Sequence, residues 1–93
     1  MTTIVVYERV KDHSKWLEGF KADAHNRKGS NGGRILQFDD DPNRHYVVFE
    51  WSGKEANDFV EFAKTPTMQK VFKDAGVLEQ TIHLCSTSIK FDV

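Results

Sequence analysis

The chain has 93 residues, 39% of them hydrophobic, with 13 basic against 14 acidic side chains and a net charge of −1. That length fits one domain, residues 1–93, and a chain this short buries only about 60–65% of its unfolded surface, so its own core is marginal. The balanced charge excludes a single-sign field for nucleic acid or an anionic membrane, and the hydrophobic content argues against disorder.

The single Cys85 excludes an intrachain disulfide. No CxxC or His-rich spacing points to structural zinc, and no metal site is expected. A partner chain remains as the source of further burial. The amino terminus lacks a basic region, and its apolar run stops at Tyr7. That run is too short for a signal peptide or a membrane span. With one unpaired cysteine, a soluble cytoplasmic protein is expected.

Thr3 to Arg9 reads as a strand with apolar side chains in both phases, Ile4 and Val6 against Val5 and Tyr7. Such a strand is covered on both sides. Asp12 or Ser14 can cap the helix that follows, whose stripe is Trp16, Leu17, Phe20 and Ala24. His25, Arg27 and Lys28 crowd its predicted last turn, and Gly29 supplies the stop. Arg34 to Phe38 is a second strand, Asp39 to Asn43 a turn, and His45 to Trp51 a third strand. The short connection predicts an antiparallel hairpin.

Ser52 with Glu55 fits a capping box, opening a helix with Ala56, Phe59, Val60 and Ala63 on one face. Thr65-Pro66 restarts a helix that carries Met68, Val71, Phe72 and Ala75 and ends at Gly76. Thr81 to Phe91 is the last strand.

Strand, helix, strand, strand, helix, strand is the ferredoxin-like order. The expected fold is α+β, a four-stranded antiparallel sheet with helices on one face. The other face would leave an apolar patch in water, which sheet-to-sheet pairing of two copies would cover.

The order, the two-sided strands and the segments "KWLEGFKADAHNRKGSNGGRIL" and "VVFEW" resemble the dimeric α/β-barrel superfamily. Within it, the small proteins grouped with antibiotic-biosynthesis monooxygenases and putative cyclases are most similar. The resemblance implies a homodimer and a pocket between sheet and helices in each subunit. It also implies a small aromatic or polyketide-like ligand, oxygenated without metal or flavin. The alternative is a non-catalytic dimer that senses a ligand or serves a stress response. A haem-degrading relative would place a histidine on the second helix and an asparagine on the first strand. This chain has no histidine between Lys54 and Gly76 and no asparagine between Met1 and Arg9.

An oxygenase site of this kind needs an aromatic wall, a donor for a phenolate and a base. Tyr7, Trp16, Phe49 and Trp51 are candidates for the wall, joined by His83 as a further binding residue. His25 is the candidate base and Arg34 the phenolate partner. Each has a plainer reading. His25 sits where helix-end cations sit, Trp51 and Tyr7 suit a core, and His83 suits an interface. His13 and His45 lie beside turns and are expected in solvent. Cys85 is expected to be a buried thiol. The run "AHNRKGSNGGR" is therefore either the rim of a site or a helix end and its loop.

Overall fold

The computed structural model describes all residues, 1–93. Four strands form one antiparallel sheet in the order β2-β3-β1-β4. They are β1 (Thr2–Val10), β2 (Ser30–Gln37), β3 (Arg44–Trp51) and β4 (Val77–Cys85). Three α-helices, α1 (His13–Ala22), α2 (Gly53–Ala63) and α3 (Pro66–Asp74), and one 3₁₀ turn over Ala24–Arg27 complete the chain. No helix is long and apolar enough to cross a membrane.

Central strand β1 shows what the sheet does with its two faces. Thr2, Ile4, Val6, Glu8 and Val10 are buried, and the residues between them are half-buried. The buried phase points at the helices, because a strand sends alternate side chains to opposite faces. Register carries the same phase across the sheet: Ile4 pairs with Phe49 and Val6 with Val47. Those residues, with Val10 and Trp51 from the same strands and Trp16, Ala56 and Val60 from the helices, form the core. The opposite face carries Val5, Tyr7, Leu36, Tyr46 and Val48, which the helices do not reach.

Local chemistry explains most element ends. Asp12 caps α1, its carboxylate accepting from the Lys15 amide at 3.2 Å. Thr65 caps α3 by accepting from the Met68 amide, with Pro66 in the first turn. Ser52 occupies the N-cap of α2, but its side chain makes no capping hydrogen bond, so the expected box does not form.

The glycine run departs furthest from the sequence reading. α1 ends at Ala22 with Asp23 as its cap, short of Gly29. β2 then starts at Ser30 rather than Arg34, with an irregular register between Ser30 and Gly33. Gly32 takes φ +91°, which L side chains avoid. A Cβ on Gly33 would collide with the Val48 carbonyl and the Phe49 backbone. These glycines let β2 approach β3 closely. β4 likewise begins at Val77, directly after Gly76 at φ +90°, and ends at Cys85. Residues 86–93 are neither helix nor strand, so the expected strand is displaced toward the amino terminus.

Candidate active site in the helix–sheet cavity

A cavity of about 240 Å³ lies between the helices and the sheet. Val6, Val47 and Phe49 form its floor, and Trp16, Phe59 and Phe72 bring one aromatic wall from each helix. Most of the lining is apolar, as in pockets that hold small organic molecules. Its polar groups are few: Glu8 and Gln80 on the sheet, Asp23, Asn26 and Arg27 beside the 3₁₀ turn.

Glu8 is the unusual member. It follows the buried phase of β1 and is 4% exposed. One carboxylate oxygen lies 2.9 Å from Nε2 of His45, which is wholly buried. The other accepts from Nε2 of Gln80 at 2.7 Å. An ionised carboxylate only accepts, so it assigns the proton of the first contact to His45 Nε2. The Trp16 ring packs on His45 with centroids 3.9 Å apart, and His13 meets His45 edge-on at 5.2 Å. Nδ1 of His45 and Nε2 of His13 are buried without a protein partner.

Desolvation pushes the His13 pKa below its usual value, and His45 pushes it further, against a smaller upward pull from Asp12. Between the lowered folded value and 6.5, the unfolded chain binds a proton that the folded chain does not. Stability therefore rises with pH in that window. This contribution is fully present above 6.5 and is lost as pH falls toward the lowered value. Thermal melts taken downward from pH 7.5 should show a smaller decline for His13→Asn than for the wild type. Parallel declines would contradict the assignment.

Arg27 also lines the cavity and lays its guanidinium over Phe20, 3.7 Å from the ring centroid. That is cation–π distance. Burial lowers the Arg27 pKa, while Asp23 pulls it back up. Asn26 is tied to Asp23 by a side-chain hydrogen bond, which fixes the turn.

The residues expected in the site divide between the two faces of the sheet. Trp16 and Phe49 line the cavity. Trp51 lies beyond it, packed on Phe59 with centroids 4.6 Å apart, and its indole N–H has no partner. Tyr7, Arg34 and His83 lie on the face away from the helices, by their register with Tyr46, Val48 and Val5. Tyr7 accepts there from Arg44 at 3.1 Å. His25 has a 68% exposed side chain, 3.8 Å from Asp23, above a shallow surface depression. His25 and Arg34 therefore do not converge, because the sheet stands between the cavity and Arg34. His45 is wholly buried and His13 half-buried, rather than both in solvent, and Cys85 is exposed rather than buried.

Glu8, His45, Gln80 and Arg27 were the residues overlooked. The signal was present for two of them: Glu8 is in phase with Ile4, Val6 and Val10, and His45 with Val47, Phe49 and Trp51.

No protein-family profile matches the chain, and no curated protein does. Solved structures do. SnoaB from Streptomyces nogalater, a cofactor-independent oxygenase solved as its N63A mutant, superposes with a TM-score of 0.71 at 14% identity. The match covers 96% of this chain and 94% of that one. A candidate antibiotic biosynthesis monooxygenase from Nitrosomonas europaea gives 0.64 at 22% identity, covering 94% and 98%. A dimeric ferredoxin-like protein from an uncultured marine organism gives 0.59 at 11%, covering 99% and 91%. The fold is that of the antibiotic biosynthesis monooxygenase-like ferredoxin-like proteins. At these identities the likeness to these monooxygenase-like proteins is one of backbone, and the chemistry must be argued from this chain's own side chains.

Proposed function

We propose that the protein binds a small aromatic or polyketide-like molecule in the helix–sheet cavity and oxygenates it without a cofactor, as a homodimer joined through the open sheet face. The cavity carries this reading. It has aromatic walls from all three helices and few polar groups. The backbone likeness to a cofactor-independent oxygenase supports the reaction class. Trp16 and Phe49, which line the cavity, are the proposed binding residues, and Trp16 would report on occupancy by its fluorescence.

The expected result is saturable quenching of tryptophan fluorescence by electron-rich polycyclic phenols, with oxygen uptake by the metal-free protein. Quenching without uptake would favour the second reading, a ligand-sensing dimer without catalysis. The exposed His25 and the distant Arg34 favour that reading, since neither supplies chemistry to the cavity. Absence of both signals would end the ligand proposal.

The dimer rests on the uncovered face. Tyr7, Phe38 and Tyr46 cluster there with centroids 5.4 to 6.1 Å apart, beside Val5, Leu36 and Val48. Leu36 and Tyr46 are 42% and 40% exposed in the single chain. Light scattering is expected to give twice the 10.7 kDa chain mass, and Val48→Glu to shift it to the monomer. A monomeric wild type would refute this assembly. The lone exposed thiol, Cys85, suits a reducing cytoplasm.

A further inference from the structure

We propose that Glu8 is the catalytic base of the cavity and Arg27 the partner of the anion it forms. The substrate class is an uncharged, flat aromatic ketone or phenol with an acidic proton. This rests on the reading of the cavity as a ligand site.

The carboxylate is placed and oriented from several sides. His45 on β3 holds one oxygen and Gln80 on β4 holds the other. The Gln80 amide is itself fixed, because Gln69 on α3 donates to its oxygen at 3.1 Å. Gln69 also donates to the Ala63 carbonyl at 2.8 Å. From α1, Trp16 packs against His45 and prevents the imidazole from turning. Each carboxylate oxygen can accept two hydrogen bonds, and each has one protein donor, which leaves acceptor capacity beside the cavity.

A carboxylate in an apolar cavity accepts a proton from a weak acid without competition from bulk water. The same cavity contains one cationic side chain. Arg27 lines it, held over Phe20, and a guanidinium there compensates a charge that appears on the ligand. The arrangement of base and cation within one apolar space is the one expected for His25 and Arg34, supplied by different residues.

The step is a proton transfer. A C–H bond next to a carbonyl breaks, and its proton goes to a Glu8 oxygen. The electron pair moves onto the carbonyl oxygen as an enolate, whose charge Arg27 balances. With a phenol, the O–H bond breaks and the pair stays on oxygen. Return of the proton restores the starting state, so no oxidant or reductant is needed.

The test uses β-tetralone, a bicyclic aromatic ketone, with the wild-type protein in deuterium oxide without oxygen. Binding is read by tryptophan quenching and deuterium incorporation by NMR. The wild type should accelerate exchange over buffer. Glu8→Gln should lose about 100-fold or more of that acceleration, with binding kept within about 3-fold, well under 1.4 kcal/mol. Arg27→Met should lose about 10-fold, a smaller share of the same electrostatic effect. Binding without accelerated exchange, or undiminished exchange in Glu8→Gln, would overturn the assignment of Glu8. Failure of the wild type to bind would instead remove the ligand site on which it rests, and the assignment with it. If Glu8→Gln does not fold, Glu8→Asp decides, since it keeps the charge but withdraws the carboxylate by one methylene. The assignment then requires slower exchange with binding retained, and unchanged exchange would refute it.

Discussion

Replacing His45 by leucine should lower the free energy of unfolding by about 3–5 kcal/mol, read from urea denaturation. His45 is fully buried, and its ring nitrogen is one of two donors to the Glu8 carboxylate, itself 4% exposed. Removing it leaves a buried acid with a single amide partner, and the desolvation of that acid is no longer offset. A domain of this size has about 5–15 kcal/mol in total, so the variant would sit near its unfolding limit. The double variant Glu8→Leu/His45→Leu should recover most of the loss, because the charge goes with its partner. A single variant that costs under about 1 kcal/mol would mean that the pair is solvated in practice.

Trp16→Ala should cost a similar amount, about 3–5 kcal/mol, by removing a large core side chain. Trp16 is 6% exposed and joins three groups: it stacks on Phe20 at 5.1 Å, packs on His45 at 3.9 Å and meets His13 at 5.4 Å. Its loss enlarges the cavity and releases the imidazole that holds Glu8. Aromatic ligands should then bind more weakly, and the quenching signal should fall to what Trp51 alone supplies. A melt unchanged from the wild type would place Trp16 outside the core.

The contrast between the two faces explains which site residues were legible. Trp16 falls on the buried side that the stripe of α1 marks, although the last member of that stripe, Ala24, is exposed in the 3₁₀ turn. On β1 both phases are apolar, so nothing in Ile4-Val5-Val6-Tyr7 says which phase meets the helices. Choosing wrongly moves a residue from the cavity to the opposite face, which is what happened to Tyr7. His83 on β4 and Arg34 on β2 follow the same face by register. Glu8 escaped notice for a related reason. A carboxylate near a strand end reads as solvent-facing until its phase is tied to Ile4 and Val6 and its partners on β3 and β4 are known.

The sequence by itself determined the order of the elements, the antiparallel hairpin and the cap at Thr65, and it narrowed the cap of α1 to Asp12 or Ser14. These are local: they depend on periodicity, turn chemistry and one or two hydrogen bonds between near neighbours. It also resolved "AHNRKGSNGGR" in part, since a break after α1 was evident from its composition. Only the tertiary structure decided that this run holds a 3₁₀ turn and the opening of β2, because Gly33 is needed where Val48 and Phe49 approach. Only the tertiary structure brought Glu8, His45 and Gln80 together. They lie 37 and 72 residues apart in the chain and meet through the register of three strands. Pairing fixes that register across the whole sheet at once, so no local stretch contains it.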